Sequence, residues 1–94
     1  MNIEQLREQL EVDEGCVYEI YNDHLGYPTF GIGHLVKESD PEQGQSLGTA
    51  VSSDRVAEAF ESDIQSVLRD CNILYSDFDD LPEEAQQVIA NMMF

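Results

Sequence analysis

The chain has 94 residues, of which 41% are hydrophobic, and sets 20 acidic side chains against four basic ones for a formal charge of −16. A chain of this length buries somewhat more than roughly 60% of its unfolded surface, which fits one modest core over residues 1–94 and leaves no room for two independent domains. The charge argues against nucleic acid as a direct partner, since its phosphates are repelled. No apolar run reaches the roughly 18 to 20 residues of a membrane span. The acidic opening MNIEQLREQLEVDEG lacks the basic-then-apolar order of an export signal, so this chain carries no export address.

The predicted elements follow in chain order. Ile3, Leu6 and Leu10 fall at helical spacing in an otherwise polar stretch, predicting a short amphipathic helix from Asn2 to Leu10 that closes near Gly15. From Cys16 to Ile32, β-branched and aromatic residues flank the turn-like Asn22-Asp23-His24-Leu25-Gly26, the pattern of a β-hairpin. Lys37 to Ser53, with Asp40-Pro41, Gly44 and Gly48, reads as a loop. Ser52 or Ser53 then caps a helix whose apolar positions are Val56, Ala57, Phe60, Ile64, Val67 and Leu68, broken by Asn72 to Asp80. Pro82 opens a last helix with Ala85, Val88, Ile89, Met92 and Met93 as its expected buried stripe. The apolar ending Met92-Met93-Phe94 reads as a chain that continues past Phe94, because termini are commonly polar and frayed.

Among so many acids, Glu14 and Asp23 stand out by setting. One lies where a helix gives way to a strand and the other at the hairpin turn nine residues later, so a folded-back hairpin aims both carboxylates at one cleft. Such a pair suits glycoside hydrolysis, with a partly desolvated Glu14 as the protonated acid and a more open Asp23 as the carboxylate. Hairpin acids also commonly serve the turn alone, and spacing by itself leaves that reading open. Cys16 and Cys71 have neither the number nor the spacing of a disulfide framework and read as small hydrophobes of a reducing cytoplasm. No metal site is expected: His24 and His34 with Cys16 lack zinc spacing, and 77–84 lacks the alternation and glycine of a calcium loop. Ser52 and Ser53 have no histidine and acid at motif spacing and are read as caps.

The run Asp13-Glu14-Gly15 through Ile20-Tyr21-Asn22-Asp23, Gly26-Tyr27, Thr29 and Gly31-Ile32-Gly33-His34 resembles the active-site signature of the phage-type lysozymes, best known from the T-even phages. The likeness continues loosely through Val51 to Arg69 and returns in Leu81 to Phe94, where Asn91-Met92-Met93-Phe94 echoes the family's interlobe helix. The resemblance implies an α+β fold: a lysozyme-like N-terminal lobe of a short helix and a β-hairpin or small antiparallel sheet, followed by helices. It implies Glu14 as general acid, Asp23 as second carboxylate, Thr29 as a hydroxyl that helps place the attacking water, and inversion at the anomeric carbon. Leu35 and Phe94 match positions that line sugar subsites. Two departures follow from the comparison. The stretch between Leu35 and Ser52 is shorter and Pro/Gly-containing where the T-even enzymes have a helix, and the family's C-terminal helical lobe is missing, so the domain is expected to be incomplete at its C-terminus.

The expected function is that of an endolysin, a muramidase cutting the bond between N-acetylmuramic acid and N-acetylglucosamine in peptidoglycan. It would be made in the bacterial host cytoplasm, act on the cell wall without a cofactor, and be a monomer when complete. His34, which closes the signature, is expected to pair with an acid on the following helix, Asp63 first. A charge of −16 is awkward on an anionic wall. It requires either compensation beyond Phe94 or salt, which screens repulsion beyond roughly 8 Å. Two other readings are a lysozyme-like module that binds peptidoglycan sugars without turnover, and an acidic protein that mimics nucleic acid. Glu14, Asp23 and Thr29 together favour the enzyme, because a binding module has no use for an acid pair.

Overall fold

The structure, a computed structural model, describes residues 2–94 and is α+β: three α-helices, one 3-10 turn and a three-stranded antiparallel sheet. Helix α1 spans Ile3–Glu14 and closes at Gly15, where the sequence places its end. The Asn2 side chain caps it by accepting from the Gln5 N–H, and the Gly15 N–H donates to the Glu11 carbonyl at the other end. Leu6 and Leu10 are the residues it buries.

Strands β1 (Val17–Asn22), β2 (Pro28–Gly31) and β3 (His34–Leu35) form a sheet in chain order. Tyr21 pairs with Thr29, and Phe30 with His34. The β2–β3 reversal passes through Gly31 and Gly33, at φ 64° and 63°, the left-handed region where a side chain is strained. A bulge separates the Val17↔Gly31 pair from the Tyr21↔Thr29 pair. The segment 36–50 is a chain of turns, as its composition indicates, but it does not hang free. It returns along the outer edge of β1, where Ile20 N–H donates to Thr49 O, Gly48 N–H to Ile20 O and Val51 N–H to Tyr18 O.

Helix α2 (Ser53–Leu74) is the spine. Its 22 residues reach about 33 Å at 1.5 Å per residue, and Ser52 Oγ caps it by accepting from the Arg55 N–H. Two apolar clusters share this helix. Val56 and Ala59 pack against Ile20, Phe30 and Val51 of the sheet side, while Phe60, Ile64, Val67 and Cys71 pack against Leu6, Leu10, Ile32, Phe78 and Ala90. The helix runs past Asn72 to Leu74 before the 3-10 turn Phe78–Asp80 interrupts the chain.

Helix α3 (Glu83–Met93) corrects the expected stripe. Its buried residues are Gln86 and Ala90, with Ile89 and Met93 packed at the margin, whereas Val88 and Met92 are 59% and 80% exposed. A polar group causes the rotation: the Gln86 side-chain amide donates to the carbonyls of Phe78, Asp79 and Leu81, at 2.9, 3.2 and 3.1 Å. Phe78 O takes this donor beside the Leu81 N–H, and the carbonyls of Asp79 and Leu81 accept it as well, so the face carrying Gln86 turns inward. Cys16 and Cys71 are both free thiols, and Cys71 Sγ lies 3.6 Å from Met93 Sδ in the core. No helix among the described residues is long and apolar enough to cross a membrane.

Candidate active site

The site is assembled where α1 ends and the sheet begins. Glu14 is the last residue of α1, and Asp23 follows directly after β1. The β1–β2 turn is built on Asp23 itself. Its Oδ1 accepts from the N–H groups of Leu25 and Tyr27, both at 2.9 Å, while its own N–H donates to Tyr27 O and its carbonyl accepts from Gly26 N–H. The turn reading and the catalytic reading of this acid are therefore compatible, since one oxygen serves the turn and Oδ2 makes no hydrogen bond among the described residues. The Tyr27 amide, with those of Leu25 and Gly26 and the neighbouring His24, outweighs burial and holds the Asp23 carboxyl below its ordinary range.

Glu14, Asp23 and Thr29 line one cleft of about 500 Å³, with Tyr21, Gly33 and Leu35 in its walls and His24, Leu25 and Tyr27 at the turn. Thr29 is buried, and its hydroxyl donates to Tyr27 O at 3.0 Å. With that proton committed, the oxygen that remains is an acceptor, as suits a group that orients a water. Across the ladder, Tyr21 keeps its phenol proton more firmly than usual, because of burial first and then the nearby Asp23 and Glu14 carboxylates. Gly33 lies against the acid: a Cβ there would lie 3.4 Å from Glu14 Oε2, in contact with it.

Two sequence expectations change in detail. Glu14, the last residue of α1, is exposed rather than partly desolvated. Phe94 is half-buried against Phe60, with ring centroids 5.7 Å apart, and lines a second hollow of about 230 Å³ rather than the cleft of the acids. Gly33 and Leu35 belong to both depressions, so the two adjoin.

Behind Leu35, the His34 ring is 5% exposed and bonded at both nitrogens, Nδ1 to Asp63 Oδ2 at 2.7 Å and Nε2 to Asp40 Oδ2 at 2.8 Å. Burial alone would lower its pKa, but the hydrogen bonds and charges of Asp63 and Asp40 prevail and raise it. The second acid, Asp40, escaped the sequence reading. Its only sequence signal was the turn dipeptide Asp40-Pro41. Arg55 completes the cluster with paired bonds to Glu42, both at 2.9 Å, one to Asp40 at 3.1 Å and one to Glu58 at 3.0 Å. The Phe30 ring touches both groups, 4.9 Å from the His34 ring and 5.5 Å below the Arg55 guanidinium carbon.

Elsewhere His24 is exposed, and no group of three or more His, Cys, Asp or Glu among the described residues is arranged to hold a metal ion. The lysozyme likeness of the signature and the helix–sheet arrangement agree with a family comparison. The family model described as phage lysozyme matches residues 11–93, from the end of α1 through α3, and the chain accordingly belongs to the phage lysozyme family.

Proposed function

We propose that this chain carries the muramidase centre of an endolysin, made in the bacterial host cytoplasm and cutting the N-acetylmuramic acid to N-acetylglucosamine bond of the cell wall. Membership of the phage lysozyme family gives the general class, a lysozyme-like glycoside hydrolase. The observation that carries the finer reading is the cleft shared by Glu14, Asp23 and Thr29.

In this proposal Glu14 protonates the leaving glycosidic oxygen, while Asp23 Oδ2 and the Thr29 oxygen orient water against the opposite face of the anomeric carbon, giving inversion. Asp23 is suited to the unprotonated role, since the amides of its turn favour the carboxylate. Glu14 is exposed in the free protein, so the bound sugar itself must close water away from it. Leu35 contributes apolar contact to a sugar in the cleft and Phe94 to one in the adjoining hollow.

Exposure of Glu14 is also the observation that favours a sugar-binding module without turnover. The two readings separate in one experiment on purified cell walls. For the hydrolase, the wild-type chain releases reducing ends and Glu14→Gln lowers that rate by roughly 10² to 10⁴-fold with unchanged circular dichroism. Because the missing second lobe is expected to leave these 94 residues poorly active by themselves, the comparison is repeated on a chain extended past Phe94; sedimentation of that chain with walls, without any release of reducing ends, would establish the binding module instead.

A further inference from the structure

A carboxylate only accepts hydrogen bonds, so a histidine placed between two of them needs an N–H on each ring nitrogen, which only the imidazolium has. His34 is in that position, at 2.7 Å from Asp63 and 2.8 Å from Asp40, in a setting too closed for water to intervene freely. The charged groups around it come from two elements. Helix α2 supplies Asp63, Arg55 and Glu58, and the segment 36–50 supplies Lys37, Asp40 and Glu42. Strand β2 supplies the Phe30 ring, which does not titrate.

The two carboxylates are unequally dependent on the ring. Asp40 has other donors: the Lys37 N–H on the same oxygen at 2.9 Å and Arg55 Nη2 on the other oxygen at 3.1 Å. Among the described residues Asp63 has only the Lys37 ammonium besides His34, and that lies at 4.0 Å. When the imidazolium loses one proton, one of its contacts becomes a lone pair facing an anionic oxygen. The remaining proton belongs on Nδ1, facing the carboxylate with less alternative support, and the contact that breaks is Nε2 to Asp40. Asp40 sits on the turn that begins at Lys37, where its N–H donates to Lys37 O, whereas Asp63 sits within α2. The mobile partner is therefore the turn.

We propose that the turn Lys37–Asp40 is a latch on the cleft wall, held closed by the charge on His34 and released when His34 becomes neutral. Leu35 lies between His34 and this turn and lines the cleft, and Lys37 and Leu35 both line the adjoining hollow. Arg55 Nη2 keeps its bond to Asp40 Oδ1, so on release the carboxylate pivots on that bond, Oδ2 turns away from the ring lone pair and from the Lys37 N–H, and the Lys37 end of the turn draws back and widens the hollow on the Leu35 side. The chain beyond the turn stays docked, because Arg55 keeps its paired bonds to Glu42 and residues 48–51 keep their bonds to β1. Rising pH thus opens one wall locally while the fold persists. The inference concerns the closure of that wall and does not depend on which reaction occurs in the cleft.

The test is an NMR pH titration of the wild-type chain, following the His34 ring nitrogens together with backbone amides. The expected result is that the Lys37 amide shifts with the His34 midpoint and loses protection from exchange, corrected for intrinsic rate, on the order of tenfold or more. Ile64 in α2 should stay protected, and the neutral ring should carry its proton on Nδ1. In Asp40→Asn the Lys37 amide should no longer follow the His34 titration, because a carboxamide can accept from or donate to the ring. Unchanged Lys37 protection across the midpoint overturns the latch. So does simultaneous loss of protection in α2, which means global unfolding, and so does a neutral ring protonated on Nε2. The wild-type titration decides the matter even where Asp40→Asn does not fold.

Discussion

Gln86 offers a direct test of how this small fold holds its last helix. Its side chain is 8% exposed, and its amide nitrogen serves three carbonyls of residues 78–81 at 2.9 to 3.2 Å. Replacing it by Met keeps length and apolar packing but removes every donor. Two hydrogens shared among three acceptors amount to about two net hydrogen bonds, each worth about 1 kcal/mol, and the cost rises where the carbonyls of Asp79 and Leu81 lose this donor, while Phe78 O keeps the Leu81 N–H. A loss of about 2 to 3 kcal/mol is expected, and at about 4 to 8 °C per kcal/mol in a chain of this size the melting midpoint falls by at least about 8 °C. Gln86→Glu should be worse at neutral pH, since it presents a carboxylate to three carbonyl oxygens, and should recover in part in acid, where the protonated group regains one donor. Urea denaturation of the three proteins measures this, with a shifted midpoint and an unchanged slope. If Gln86→Met lies within about 0.5 kcal/mol of wild type, the amide does not hold the turn and the rotation of α3 has another cause.

Four further outcomes are expected. Gly31→Ala should destabilise the chain by about 1 to 3 kcal/mol, because φ is 64° there and the new Cβ would lie 3.1 Å from Val56 Cγ1; a urea midpoint equal to wild type contradicts this. Gly33→Ala strains the backbone at φ 63° and puts a methyl in contact with Glu14 Oε2 at 3.4 Å on the cleft wall, so wall hydrolysis should fall by a larger factor than folded stability accounts for, as paired activity and denaturation measurements will show. The Asp23 carboxyl should titrate below the ordinary value of 3.8 in a carbon-detected NMR experiment, and a value at or above it would remove the support that its turn gives to the unprotonated role. Stability should depend on pH from both sides. The raised His34 pKa contributes fully below 6.5, its ordinary value, and is lost as pH rises through the folded one; the lowered Asp40 and Glu42 values contribute above the ordinary 3.8 and 4.5 and are lost as pH falls. Urea midpoints should therefore peak in mildly acidic solution, and His34→Gln should remove the decline on the alkaline side.

The positions of the helices and of the first two strands were legible because apolar period and turn chemistry agree there. Leu6 and Leu10 mark one face, Ser52 caps, and Asp23 and Gly26 supply the turn that their types favour. The pairing of Glu14 with Asp23 in one cleft was legible for the same reason, since both sit at element ends whose locations the pattern defines. Hydrophobicity misled where a polar side chain had a buried task. Gln86 reads as surface, yet three carbonyls draw it inward and leave Val88 and Met92 outside. Asp40 was hidden differently. Its partner lies six residues away across a loop, and no periodicity connects a turn acid to a strand histidine. The exposure of Glu14 depends on what covers the end of α1, a tertiary matter on which local pattern is silent.

The return of residues 48–51 along β1 has a consequence for solubility. An open outer edge of β1 would present the amides of Ile20 and the carbonyls of Tyr18 and Ile20 as a template for a strand from another molecule, and the bonds from Gly48, Thr49 and Val51 occupy those groups. The turn-rich segment thus works as a selvedge on the sheet. A shortened variant lacking residues 44–49 would keep the cleft residues and the spine but expose a ready docking edge. Its expected failure is fibrous or stacked assembly, favoured by salt, as the charge of −16 that keeps neighbours apart becomes screened.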